Sequence, residues 1–132
     1  MAIKIINGVK HYPMSWDYAE HKLETEVLRL QNKIDVLERG TIDPNETMIM
    51  TGGIGHKQLD AFNALPKPVR AKRINYLERV LDRMREVRDI ADRYVTCDGR
   101  GRLTAWLDGK TFNAVKQICA GYELAHMMFL AS

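Results

Sequence analysis

The chain has 132 residues, 45% hydrophobic and 28% charged, with a formal net charge of +3; that suits one domain with a packed core and fits disordered or collagen-like chains poorly. No apolar run approaches the roughly 18 residues of a membrane span, the opening lacks the pattern of a secretory leader, and Cys97 and Cys119 are too few for a disulfide framework. The expectation is a single, mostly helical α+β domain in a reducing cytoplasm, with no membrane partner.

Two β-prone runs flank Asn7-Gly8, the pair that most readily takes both positive φ angles of a type I′ turn, which predicts a hairpin over 1–13 stopped by Pro13. Ser15 can cap the helix that follows, and Asp17 suits its positive end, so a helix is expected over 15–39. Along it Leu23, Val27, Leu30, Ile34 and Leu37 recur at alternating spacings of four and three, a two-heptad seam that Gly40 ends. Residues 40–65 lack helical periodicity apart from a brief helix from His56, and Met48-Ile49-Met50 reads as a short strand. Pro68 suits the first turn of a second long helix, 67–94, whose own seam is Leu77, Val80, Met84, Val87, Ala91 and Tyr94. A second hairpin is expected over 94–107 around Asp98-Gly99-Arg100-Gly101, and a last helix over 111–131, apolar near its end at 127–130. The order is hairpin, long helix, irregular segment, long helix, hairpin, helix.

Helices of this length span roughly 35 to 45 Å at about 1.5 Å per residue, more than so small a globule wraps comfortably. Either the two seams pack on each other or one is shared with another copy. The expectation is a homo-oligomer, dimer or larger, with Leu23, Val27, Leu30, Ile34 and Leu37 as its oligomerisation seam and 127–130 as the next candidate contact.

Charge is uneven along the chain. Residues 67–96 carry nine basic and five acidic side chains, and the densest part, Lys67, Arg70, Lys72 and Arg73, has no acid within it. Such a cluster suits a partner with an acidic protein surface or a phosphate-bearing ligand, nucleic acid included. A second candidate is the glycine loop before His56. Gly52, Gly53 and Gly55 would let backbone amides approach an anion at a helix start, with Lys57 completing the site, although the spacing matches neither a P-loop nor a dinucleotide fingerprint. Arg100 and Arg102, on the second hairpin tip, add two guanidiniums able to grip phosphate or carboxylate. Trp106 and Tyr94 nearby are aromatics of the kind that stack on bases, and more often serve as core.

No histidine lies three or four residues from another histidine or a cysteine, and no Gly-x-Ser-x-Gly is present, so no metal, no cofactor and no catalytic residue is expected. Of the thiols, Cys97 beside the hairpin turn is the more accessible, whereas Cys119 sits on an apolar helix face.

The opening Ile-Ile-Asn-Gly-Val-Lys-His-Tyr-Pro running straight into the heptad helix of 23–37 resembles the start of many small accessory proteins of tailed bacteriophages. The resemblance covers less than a third of the chain and carries over no catalytic residue. It implies a protein that acts without chemistry, by occupying a host protein or sequestering a signalling nucleotide of host defence. The expected function is therefore a non-enzymatic, oligomeric binding protein, with a nucleic-acid-binding accessory protein as the alternative.

Overall fold

A computed structural model describes residues 2–121, and its fold is α+β. The elements are β1 (Lys4–Ile6), β2 (Val9–Ser15), α1 (Trp16–Arg39), α2 (His56–Asn63), α3 (Lys67–Asp92), β3 (Val95–Cys97), β4 (Leu103–Asp108) and α4 (Gly109–Cys119). They form two compact units, Met1–Glu26 with Arg83–Ser132, and Val27–Asp82; each long helix contributes to both.

In the first unit the strands do not make the two separate hairpins expected. β2 pairs with β4, so the strands make one antiparallel sheet in the order β1-β2-β4-β3. The first turn is the expected one, with φ of 51° at Asn7 and 79° at Gly8. Pro13 does not stop the strand, which runs on to Ser15 with Pro13 opposite Trp106. The reason lies in the ladder. Trp106 N–H points away from β2 and donates to the Tyr94 carbonyl at 2.9 Å, so residue 13 needs no amide on the β4 side. On the other side β1 has already ended, with Lys4 opposite His11. A proline therefore costs this strand no hydrogen bond.

One sheet face carries Tyr12, Met14, Ala105 and Leu107, and α4 packs on it through β2 and β4, with Phe112 meeting Tyr12 edge-on at 6.2 Å. Trp16, Ala19 and Leu23 of α1, Met84, Val87 and Ala91 of α3, and Ala114, Val115 and Ile118 of α4 are buried in this unit. Asp108 caps α4, accepting from Thr111 N–H at 2.8 Å and from Thr111 Oγ1 at 3.0 Å. α4 closes at Cys119, where Gly121 takes a left-handed φ of 69° and its amide bonds the Ile118 carbonyl; the rest of the expected helix, from 122 to 131, and the expected contact at 127–130 lie outside the described residues. Likewise α3 ends at Asp92 rather than 94, since Tyr94 leaves the helix to pair with Trp106.

The second unit holds the rest of α1, all of α2 and the first part of α3. Its buried apolar side chains are Val27, Leu30, Ile34, Val36 and Leu37 of α1, Ile54, Leu59 and Phe62, and Leu77, Val80 and Leu81 of α3. Gly40 ends α1 with a φ of 75°, and its carbonyl accepts from Asn63 Nδ2 at 3.0 Å. The expected strand at 48–50 is absent. These residues instead form a tight turn, with Gly52 N–H on the Ile49 carbonyl at 3.2 Å and Gly53 N–H on the Met48 carbonyl at 2.8 Å.

Candidate binding surface

The glycine loop does not have the geometry of an anion cradle. Such a cradle needs amides without internal partners, and here they are engaged: Gly52 and Gly53 on the preceding turn, Ile54 on the Thr51 carbonyl, and Gly55 on Gln58 Oε1 at 3.0 Å, which closes the start of α2. Gly52 has another use. A Cβ there would stand 2.5 Å from Lys33 N and 2.6 Å from Lys33 Cβ, and closer still to the Arg29 carbonyl, so the residue lets the loop lie directly on the α1 backbone. Asn32 Nδ2 adds a bond to the Ile49 carbonyl at 3.0 Å. Lys57 is exposed in the first turn of α2. Upstream, Arg39 at the end of α1 binds Glu46 Oε1 at 2.5 Å, and the same oxygen accepts from Asp43 N–H at 3.0 Å; the two hold the Glu46 carboxyl below its usual range.

The basic start of α3 remains open. Lys67, Lys72 and Arg73 are exposed and Arg70 is half-buried. Among the described residues none of the four makes an ion pair, and Arg70 Nε is buried without a hydrogen-bond partner. The first turn of α3 holds no acid. Four cations therefore crowd the end of a helix that already carries partial positive charge. Elsewhere Arg39 pairs with Glu46, Arg83 with Glu86 at 3.1 Å, and Arg88 with Glu24 at 3.4 Å.

Arg100 and Arg102 belong to the first unit, Gly52, Gly53, Gly55 and Lys57 to the second. Both arginines are exposed, on a tip that Asp98 organises by accepting from Arg100 N–H at 2.8 Å and Arg102 N–H at 2.9 Å. The aromatics nearby are already engaged. Trp106 lies under the Lys4 ammonium at 4.1 Å and donates its indole N–H to Thr96 Oγ1 at 3.1 Å, and the Tyr94 ring lies 5.3 Å from that of buried His11. Cys97 is exposed, and burial pushes the Cys119 thiol up while its S–H faces the Ala19 carbonyl at 3.6 Å. No cluster of three metal-ligating side chains occurs among the described residues.

Leu23, Val27, Leu30, Ile34 and Leu37 are all buried within the one chain, and a subunit contact built on that seam would have to displace the chain's own core. The sequence reading missed a different surface. Met48, Ile49 and Met50 are 62, 72 and 54% exposed on a loop whose backbone is held in place. Their signal in the sequence was three large apolar residues with no periodic neighbours, which suits a turn tip as well as a strand.

With this geometry established, comparison with known proteins finds no matching family model, no matching curated protein and no matching solved structure.

Proposed function

We propose that this protein acts by binding rather than by chemistry, and that the basic start of α3 is its contact with an acidic surface or phosphate groups of its partner. The observation that carries the reading is the uncompensated cluster of Lys67, Arg70, Lys72 and Arg73. Two of these cations, Lys67 and Arg70, lie in the first turn of α3, where a cation costs about 0.3 to 1 kcal/mol when nothing opposes it. An anionic partner reverses that cost, so the arrangement is unfavourable in the free protein and favourable in a complex. The resemblance of residues 1–40 to small phage accessory proteins supports a host factor as that partner, occupied or blocked without turnover.

The test measures fluorescence anisotropy of a labelled polyglutamate peptide and of a short DNA duplex at rising salt. Replacing all four residues by Glu should abolish binding of the acidic peptide and leave the melting temperature equal or higher, because the variant places acids where the helix favours them. Wild-type protein that binds neither probe overturns the reading. A log slope against salt near 0.9 per phosphate, confined to the duplex, establishes the nucleic-acid alternative in its place.

A further inference from the structure

Along α3, Lys67, Ala71, Ile74 and Glu78 follow one another at spacings of four, three and four, which sets them in one row about 16 Å long at about 1.5 Å per residue. Lys67, Ala71 and Glu78 are exposed and Ile74 is half-buried, so the row is open to solvent. Its charge changes sign from end to end. Lys67 begins it, with Arg70 beside it, whose Nε is buried without a hydrogen-bond partner. Glu78 ends it among carboxylates: Asp82 lies one turn further on, and Glu38 of α1 shares a hydrogen bond with Glu78. That bond first, then burial and the charges of Glu78 and Asp35, hold the Glu38 carboxyl above its usual range. Two arginines close by in sequence are turned elsewhere, Arg39 to Glu46 and Arg79 to the Tyr76 ring at 6.0 Å. Among the described residues neither Lys67 nor Glu78 makes an ion pair.

A row with a cation at one end, a carboxylate at the other and small or apolar residues between is complementary to itself run backward. With a two-fold axis between Ala71 and Ile74, Lys67 of each copy faces Glu78 of the other, and Ala71 faces Ile74. Two rows running in the same direction would instead set lysine on lysine and glutamate on glutamate. Ala71 lets the helix backbones approach closely, and Ile74 loses its remaining exposed surface.

We propose that the start of α3 is also a self-association surface, on which two copies pack their α3 helices antiparallel with Lys67 of each against Glu78 of the other. The inference rests on the reading of that start as a contact for carboxylates and adds its regulation, because a second copy and an acidic partner compete for Lys67. Four residues a side make a small contact, at the low end for specific interfaces, so the dimer is weak and exchanges quickly.

The experiment is sedimentation velocity over a concentration series for wild type, Lys67→Glu, Glu78→Lys and an equal mixture of the two variants. Wild type should dimerise as concentration rises. Each variant alone should associate about tenfold more weakly or worse, since Lys67→Glu sets Glu on Glu, and Glu78→Lys sets Lys on Lys, at both ends of the contact. The mixture should recover the wild-type affinity, because both contacts between unlike chains are again Lys with Glu. Both substituted side chains are exposed, so melting temperatures no lower than wild type should exclude misfolding as the cause. Wild type that stays monomeric throughout the series overturns the proposal. So does a mixture that associates no better than its components, which would assign association to another surface. Anisotropy of the polyglutamate peptide with dilute Glu78→Lys tests the underlying reading by itself. That variant keeps all four cations and should bind; failure to bind would remove the reading of α3 as a partner contact, whatever the mixture shows.

Discussion

Gly52→Ala tests the central claim about the loop, because the structure gives the residue a purpose different from the one its neighbours in sequence suggest. Two costs add. At a φ of 65°, an alanine pays about 1 kcal/mol for the left-handed conformation. Its Cβ would also lie 2.5 to 2.6 Å from Lys33 N and Cβ, where ordinary carbon contacts need about 3.5 to 4.0 Å. The opposing atoms are the α1 backbone and a Cβ, with no flexible side-chain end to yield, so the loop must lift by about 1 Å. Lifting exposes part of Ile54 and Thr51, both buried, and stretches the bond from Asn32 to Ile49. Full burial of an Ile is worth about 1.5 to 3 kcal/mol, so the total loss should be about 2 to 4 kcal/mol. Gly53, with a φ of 86° and open space around it, should cost only about 1 kcal/mol as Ala. Gly55, with neither a positive φ nor a crowded neighbour, should stay within about 0.5 kcal/mol. Urea denaturation at equal m-values measures all three. If Gly52→Ala costs no more than Gly53→Ala, the loop is not seated on α1 as described.

Asp108→Ala should cost about 1 to 2 kcal/mol in the same assay by removing both acceptors from Thr111, and Asp108→Asn should recover most of it. Glu38 shares a hydrogen bond with Glu78 and is raised by it, then by burial and by the charges of Glu78 and Asp35; its folded carboxyl therefore holds a proton more tightly than in the unfolded chain. That contribution is complete below the ordinary carboxylate range and is lost as pH rises through the raised value, so Glu38→Gln should raise the urea midpoint at neutral pH and lose its advantage near pH 4 or below, about where a free carboxyl titrates. A thiol reagent should modify exposed Cys97 quickly and Cys119 only with denaturant, and Cys97→Ser should abolish the fast phase; equal rates would contradict the placement of Cys119 against Ala19.

Local chemistry made several elements legible. The Asn7-Gly8 turn, the end of α1 at Gly40 and the start of α3 around Pro68 all follow from the φ angles that one or two residues permit. The seam 23–37 was also visible as spacing, but spacing does not say which surface it meets. A residue at alternating intervals of three and four is equally suited to a second copy and to the chain's own core, and here the core takes it. The pairing of β2 with β4 was hidden for a related reason. It joins residues 89 to 97 positions apart, and the proline that argues for a strand end is harmless only because β1 stops opposite His11.

The glycine loop shows the same ambiguity at the scale of function. Glycines admit an anion because they lack a side chain, and they admit another backbone for the same reason. Which of these applies depends on whether the amides are free, and the sequence carries no record of that. Once Ile49, Met48 and Gln58 are seen to accept from Gly52, Gly53 and Gly55, the loop's role shifts from holding a ligand to holding itself. Its rigidity is then what keeps Met48, Ile49 and Met50 exposed, since a looser loop of this composition would fold them against the core. At the start of α3 the inference runs the other way. Lys67, Arg70, Lys72 and Arg73 are as crowded in the fold as in the sequence, and nothing among the described residues relieves them. A charge cluster that the fold leaves uncompensated is a stronger pointer to a partner than one that the fold neutralises, because only the former carries a free-energy cost that binding can remove.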